Sequence, residues 1–140
     1  MEERKKKRIT TTKELADILS GCCFRKPKIH PATLVFQGLR IYVNDELTVL
    51  QQALEKAIDK LAVGGRIAVI SFHSLEDRIV KEFFKANAKK THSNIYRIKE
   101  PESKLKILTK KPIKPSNKEI KNNPRSRSGI LRVAEKVKDE

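Results

Sequence analysis

The sequence predicts an α/β fold built on a mostly parallel sheet. The main observation is an apolar run from Arg66 to Phe72, rich in β-branched residues, with Gly64-Gly65 before it and His73-Ser74 after it. Such a run is typical of a strand that is buried on both faces. Amphipathic helical patterns precede and follow this strand, and that succession favours the α/β class. With 140 residues, the chain has the length of one ordinary domain.

Two helices are expected in the first part of the chain. Thr11 and Glu14 match a capping box, and the helix that starts there ends near Gly21. Pro31 suits the first turn of the second helix, which covers Ala32 to Val43.

A third helix precedes the predicted strand and a fourth follows it. Asn44 or Asp45 is the expected N-cap of the third helix, and Gly64-Gly65 ends it. Ser74 is the expected N-cap of the fourth helix. Each helix carries one apolar face: Leu47, Leu50, Leu54, Ile58 and Leu61 in the third, and Leu75, Ile79, Val80, Phe83 and Phe84 in the fourth.

Two further short strands are expected, at Leu105 to Leu108 and at Ile130 to Val133. Charged residues shorten the second strand, as is common in edge strands. A polar loop from Pro112 to Arg127 joins the two. Three short strands and a few helices do not supply enough neighbours for a strand buried on both faces. We therefore expect something outside this sequence to complete the sheet.

The charge of the chain indicates a polyanionic partner. The net charge is +15, and residues 85–140 alone hold 17 Lys and Arg against 6 Asp and Glu, a net charge of +11. A nucleic acid is favoured over an anionic membrane surface. No apolar stretch approaches membrane-spanning length, and no apolar segment follows the basic N-terminus as it would in a secretory signal. Cys22-Cys23 fits reduced thiols, so we expect a cytoplasmic protein without a membrane partner.

The elbow after the predicted strand is the first candidate site, because ligands of open α/β sheets bind at the carboxyl ends of strands. His73 beside a carboxylate such as Asp77 could act as an acid or a base. Alternatively, Ser74 only caps the helix and His73 bonds to a loop carbonyl. Arg78 could hold a phosphate or form an ion pair with Glu82 one turn later.

Two other clusters are candidate contacts for a nucleic acid. Asn123, Arg125 and Arg127 lie in a segment with hydroxyl groups between the arginines, which suits phosphate contacts or simply a solvated basic loop. Phe36 and Arg40 lie one helical turn apart, so that a base could stack on one and a phosphate meet the other. A core Phe with a surface Arg is the simpler interpretation of that pair.

Several common site motifs are missing from the sequence. There is no Gly-x-Gly-x-x-Gly, no phosphate-binding loop, no metal-ligand spacing and no nucleophile elbow. Gly64-Gly65 precedes a strand instead of following one, so it is expected to stop a helix.

Four blocks of the sequence together resemble the RsmH (MraW) family of bacterial methyltransferases that act on small-subunit ribosomal RNA. They are Thr11 to Leu19, Ile29 to Leu47, Gly64 to Phe84 and Asn123 to Lys136. The segments SFHSLEDRIVK and NPRSRS are long and occur together in the expected order. The resemblance runs from about Glu3 to the end of the sequence.

That resemblance implies a class I, Rossmann-like methyltransferase with an inserted helical domain, which uses S-adenosylmethionine to methylate the exocyclic amine of a cytosine. Residues 1–43 would be the end of the helical insert. Residues 44–140 would be the second half of the catalytic sheet, with a basic loop at 87–128. The glycine-rich cofactor loop and the other cofactor-binding segments of the family have no counterpart here, so binding of S-adenosylmethionine by this chain alone is not expected. The substrate-side candidates that remain are His73, Ser74, Arg78, Asn123, Arg125 and Arg127.

The sequence therefore predicts a C-terminal fragment of a 16S ribosomal RNA cytosine-N4 methyltransferase that is inactive by itself. Its expected partners are ribosomal RNA or the small ribosomal subunit. The alternatives are a non-catalytic basic RNA-binding module, a half that complements a separate N-terminal chain, and a decayed product without function.

Overall fold

The computed structural model describes residues 2–22, 30–88 and 103–138. The chain forms two compact units, Met1–Glu46 and Leu47–Glu140. Residues 23–29 lie outside the described residues, and so do residues 89–102 of the predicted basic loop. None of the described helices combines the length and the apolar character that crossing a bilayer requires.

The first unit contains three helices, α1 (Glu2–Lys6), α2 (Thr12–Gly21) and α3 (Ala32–Asn44). The predicted capping box is present at the start of α2, where the Thr11 hydroxyl accepts a hydrogen bond from the Glu14 N–H. Backbone N–H groups of Thr10 and Thr11, together with the side chain of Lys7, hold the pKa of Glu14 at about 2. Asp45 ends α3 in the left-handed conformation, with φ of 50°.

Helix α4 (Glu46–Lys60) begins at the last residue of the first unit and otherwise belongs to the second. The other elements of the second unit are, in chain order, β1 (Arg66–Ser71), α5 (Ser74–Asn87), β2 (Leu105–Ile107), α6 (Asn117–Asn122), a 3-10 helix (Pro124–Ser128) and β3 (Ile130–Lys136). The predicted loop between the second and third strands is therefore partly helical. Ser116 caps α6 by accepting a hydrogen bond from the Glu119 N–H.

The three strands form a sheet in the order β1-β3-β2, and both pairs are antiparallel. The expectation of a mostly parallel sheet is therefore wrong for the strands that the structure describes. β1 and β2, which α5 connects, do run in the same direction, as a crossover helix requires. They are not neighbours, however, because β3 returns between them.

β3 is the central strand and extends to Lys136, so the expectation of a short edge strand there is also wrong. Its charged side chains have partners, and this allows them to lie inside the sheet. Arg132 bonds to Asp77 on α5, and Glu135 bonds to Arg66 on β1. The Lys136 ammonium donates to the Ile58 carbonyl near the end of α4, at 2.9 Å.

The hydrophobic core lies on one face of the sheet, under α4 and α5. Its buried members are Leu54, Ile58, Val80, Phe84, Leu105 and Ala134. The apolar faces predicted for the two helices supply most of this set. The prediction that β1 is buried on both faces is wrong for the part of the chain that the structure describes. Ile67 and Val69 face the core, whereas Ala68 and Ile70 are exposed. The reason is that both helices packed on the described strands lie on the same side.

Candidate functional site

The elbow between β1 and α5 is held by a capping box. The Glu76 carboxylate accepts hydrogen bonds from the N–H groups of Phe72 and His73, at 2.7 and 3.2 Å. In return, His73 Nδ1 accepts a hydrogen bond from the Glu76 N–H at 3.3 Å. His73, and not Ser74 as expected, is thus the N-cap residue of α5.

This cap determines what the His73 ring can do. The side chain is only 10% exposed. Because Nδ1 acts as an acceptor, the neutral ring carries its hydrogen on Nε2. Nε2 makes no hydrogen bond to any residue that the structure describes, although Glu76 Oε1 lies 3.3 Å away. In this state His73 is a hydrogen-bond donor and has no lone pair available to act as a base.

The predicted carboxylate partner of His73 is already engaged elsewhere. Asp77 forms a two-point ion pair with Arg132, with Nε–Oδ1 at 2.7 Å and Nη2–Oδ2 at 2.9 Å. These hydrogen bonds lower the pKa of Asp77 and raise the pKa of Arg132. Asp77 therefore fixes the start of α5 to the central strand, a link that no local sequence pattern indicates.

Ser74 and Arg78 are exposed at the start of α5. They are four residues apart, so their side chains share one face of the helix. Among the described residues Arg78 has no ion-pair partner, so the alternative of an ion pair with Glu82 does not form. The pair leaves a hydroxyl and a guanidinium group available on the surface next to the elbow.

The second cluster forms a compact 3-10 turn. Asn123 caps it, with Oδ1 accepting from the Arg125 N–H at 3.2 Å. The Asn123 carbonyl accepts from both the N–H and the hydroxyl of Ser126, at 3.0 and 2.8 Å. The side chains of Arg125 and Arg127 are exposed and make no ion pair in the part of the chain that the structure describes. The backbone groups of the turn thus form hydrogen bonds within the turn, and its two arginine side chains point outward.

Gly129, which follows this turn, brings it against the end of β1. A Cβ atom at Gly129 would lie 3.0 Å from the Ser126 carbonyl oxygen and about 4 Å from side-chain atoms of Ile70 and Phe72. A cavity of about 330 Å³ lies at this junction. Phe72, Asn123, Arg125 and Ser126 all line it, so an aromatic ring, an amide and a guanidinium group converge there.

The cavity gathers only part of the predicted set. Of the predicted site residues, Asn123 and Arg125 line it. Phe72, at the start of the elbow, also lines the cavity but is not among the predicted site residues. Strand alternation could have identified Phe72, since it lies on the same face of β1 as the exposed Ile70. Arg40, in the first unit, is paired with Glu46, with Nε–Oε1 at 2.9 Å. A larger cavity of about 800 Å³ beside α5 and β2 contains none of the predicted site residues.

The residues that the structure describes contain no glycine-rich turn of the kind that holds a nucleotide cofactor. A nucleotide-type cofactor needs a glycine-rich turn between a strand and a helix, where the backbone can approach it closely. None of the five glycines has that position. Gly64, with φ of 84°, turns the chain before β1, and a Cβ atom at Gly65 would collide with Leu61 at 2.7 Å. These two glycines serve the turn between α4 and β1.

Comparison with known proteins gives a consistent result. The profile of the MraW methylase family matches residues 1–137. A protein named Ribosomal RNA small subunit methyltransferase H from Sulfurihydrogenibium sp. (strain YO3AOP1) is 55% identical over 141 residues, which cover 98% of this chain and 44% of that protein. The proteins of the same name from Persephonella marina and Rickettsia bellii are 51% and 50% identical, with 44% and 47% of their lengths covered.

The chain thus spans under half the length of these curated relatives, and the matched stretch is their C-terminal part. The family profile nevertheless covers almost all of the chain. On this evidence, the chain belongs to the MraW methylase family.

Proposed function

We propose that this chain is the RNA-facing part of an enzyme that methylates N4 of a cytosine in small-subunit ribosomal RNA with S-adenosylmethionine, and that it transfers no methyl group by itself. Three observations support the proposal. The chain belongs to the methylase family, its named relatives act on small-subunit ribosomal RNA, and it matches under half of their length. The proposed substrate places the reaction in the cytoplasm.

The observation that carries the RNA-facing role is the packing of the 3-10 turn against the end of β1. Phe72, which is 56% exposed, offers a ring face on which an unpaired base can stack. Asn123 uses Oδ1 for the turn, so its Nδ2 group can donate to the base or the ribose. Arg125 at the cavity and Arg127 beside it are available for phosphate groups.

Transfer of a methyl group to an exocyclic amine depends mainly on positioning two reactants in a site from which water is excluded. This chain's share of that task is to hold the nucleotide. S-Adenosylmethionine supplies the methyl group when it is bound by the remainder of the enzyme. His73 contributes the orientation of α5, since its Nδ1 is committed to the helix cap.

The second candidate function, a non-catalytic basic RNA-binding module, is favoured by one observation. Residues 85–140 carry a net charge of +11. Such a charge favours binding to RNA phosphates, and this binding does not require methyl transfer. The two functions differ in whether the chain restores methyl transfer when the rest of the enzyme is supplied.

The RNA-facing role predicts that Arg125 and Arg127 contact phosphates. The double variant Arg125→Ala, Arg127→Ala is expected to lower the slope of log affinity against log salt by about 2, because each phosphate contact contributes roughly 0.9. The measurement is filter binding of the chain to small ribosomal subunits over a range of salt concentrations.

The matched control is the variant Lys56→Ala, Lys60→Ala, which removes the same charge from exposed positions on α4. It is expected to leave the slope close to that of the unmodified chain. Equal slopes for the two double variants would contradict a specific role for the turn, and no binding even at low salt would contradict RNA binding altogether.

A further inference from the structure

The larger cavity, of about 800 Å³, lies between α5 and the strand β2 at the edge of the described sheet. Its volume is typical of ligand pockets in proteins. Lys81 and Lys85 on α5 line one wall, and Lys106 on β2 and Lys110 after it line the other. All four lysines are exposed. Four ammonium groups thus line one concave surface.

No described carboxylate neutralises these ammonium groups. Neither Asp nor Glu occurs among the described residues that line the cavity, and none of the four lysines forms an ion pair with a described residue. Arg132 also lines the cavity, and it already holds Asp77 through two hydrogen bonds. Lys81, one turn after Asp77, only adds its charge to the causes that lower the pKa of that carboxyl. The lining therefore carries an excess of positive charge.

The neighbouring sequence adds to this excess. Lys81 and Lys85 are four residues apart on one helix, a spacing at which like charges repel one another. Glu82 lies between them in the sequence but does not line the cavity. Residues 89–102, which join the two walls along the chain, contain 4 Lys and Arg against 2 Glu, a net charge of +2. We therefore expect an anion from outside the chain to neutralise the cavity.

We propose that the larger cavity binds the phosphate backbone of a segment of ribosomal RNA, separate from the nucleotide that the 3-10 turn is proposed to hold. This inference rests on the proposed function, which makes ribosomal RNA the polyanion that the chain meets. The lysine ammonium group is a compact charge that suits phosphate oxygens. A positively charged groove is also the usual surface along which proteins bind the backbone of single-stranded nucleic acid.

The larger cavity is distinct from the cavity beside the 3-10 turn. No described residue lines both. Leu131 lines the smaller cavity and Arg132 the larger one. These two residues follow one another on β3, so their side chains point to opposite faces of the sheet. RNA bound to both sites would contact the chain at two separate places.

The lining favours contacts with phosphates over contacts with bases. The aromatic ring of Phe84 lines the cavity but is only 1% exposed, so a base cannot stack on it. The Thr109 hydroxyl already donates to the Val133 carbonyl and accepts from the Val133 N–H, at 3.4 and 2.9 Å. Binding at this site is therefore expected to depend on charge and not on nucleotide sequence.

The first test is filter binding of the 140-residue chain to protein-free small-subunit ribosomal RNA over a range of salt concentrations. The variant Lys81→Ala, Lys85→Ala is expected to lower the slope of log affinity against log salt by about 1.5, because each phosphate contact contributes roughly 0.7 to 0.9. The variant Lys81→Arg, Lys85→Arg keeps both charges and is expected to keep the slope.

Two further variants complete this comparison. Lys106→Ala, Lys110→Ala, on the other wall, is expected to lower the slope by the same amount. Lys56→Ala, Lys60→Ala is the matched control, since it removes two exposed lysines at the same spacing from α4, and it should leave the slope unchanged. Circular dichroism checks that each variant keeps its helices.

The second test locates the contact directly. Lysines of the unmodified chain are acetylated with and without the RNA, and the modified positions are identified by mass spectrometry. We expect the RNA to protect the four cavity lysines more strongly than Lys56 and Lys60. Uridine monophosphate at the same phosphate concentration is expected to protect none of them.

Several results would overturn the inference. They are equal slopes for the cavity variants and the control, an equal loss of slope for the Ala and Arg variants, and protection that does not distinguish the cavity lysines. Equal protection by uridine monophosphate would also overturn it, because the ligand would then be a free nucleotide. If the lysine variants lower the slope and Arg125→Ala, Arg127→Ala does not, the proposed role of the turn fails and the cavity site stands.

Discussion

His73 shows how a single residue can suggest one chemistry in the sequence and have another role in the structure. A histidine at the end of a strand is a natural candidate for an acid or a base. Here its Nδ1 accepts the hydrogen bond that caps α5, and its ring is 10% exposed. Because Nδ1 is occupied by this cap, the role that the structure shows for His73 is to hold the start of α5.

The cap predicts a difference between two substitutions at this position. His73→Ala is expected to lower the free energy of unfolding by about 1 kcal/mol, because the Glu76 N–H loses its acceptor. His73→Asn is expected to keep most of that stability, since the Asn amide oxygen can accept the same hydrogen bond. Urea denaturation followed by circular dichroism measures both. An equal loss for the two variants would show that the ring, and not the cap, stabilises the elbow.

Among the elements, α5 and β3 are joined by the ion pair of Asp77 and Arg132. Both side chains are largely buried, with 17% and 12% exposed, and they form two short hydrogen bonds. The pair fixes the start of α5, and therefore the elbow, against the central strand of the sheet. It is the contact that ties the geometry of the site to the fold.

Asp77→Asn is expected to lower the free energy of unfolding by about 2 kcal/mol at pH 7, the usual size for hydrogen bonds to charged groups. Arg132 lowers the pKa of Asp77 in the folded state. The stabilisation is therefore complete above the ordinary carboxyl pKa of roughly 3.9 and is lost as the pH falls through the lower folded-state value.

The measurement is the urea midpoint of the unmodified chain and of Asp77→Asn from pH 7 down to pH 2. The difference between the two is expected to shrink in acid. Asp59→Asn, at an exposed position on α4, is the control and should behave like the unmodified chain. A difference that stays constant at every pH would rule out the ion pair as its source.

The sequence predicted the helices well and the sheet poorly, for a physical reason. α2, α3, α4 and α5 each carry a cap or an apolar face within a few neighbouring residues, so their positions follow from local patterns. Strand order depends on contacts between distant residues. The charges of β3 made it resemble an edge strand, whereas Arg132 and Glu135 are neutralised by partners 55 and 69 positions away.

For the candidate site too, the local features could be predicted from the sequence, whereas the contacts between distant residues could not. Local sequence located the elbow and the basic turn, because each is a short segment with its own polar residues. It could not show that they meet, since that depends on the packing of Gly129 against Ile70 and Phe72. It also could not show that Asp77 is committed to Arg132.

At the scale of the whole molecule, the chain matches the C-terminal part of longer relatives. The helices α4 and α5 cover one face of the sheet, and one edge of β1 has no partner strand among the residues that the structure describes. Its glycines form no cofactor turn, and its match covers 44% of the Sulfurihydrogenibium relative. In the proposed function, the elbow between β1 and α5 forms one side of a methyl-transfer site.

The most direct test of this account is methyl transfer from labelled S-adenosylmethionine to small ribosomal subunits. The samples are this chain, the N-terminal part of the Sulfurihydrogenibium relative, the two together, and the full-length relative as the positive control. We predict that the mixture and the full-length relative label the ribosomal RNA and that neither part does so alone. Labelling by this chain alone, or no labelling by a mixture that has formed a complex, would contradict the account.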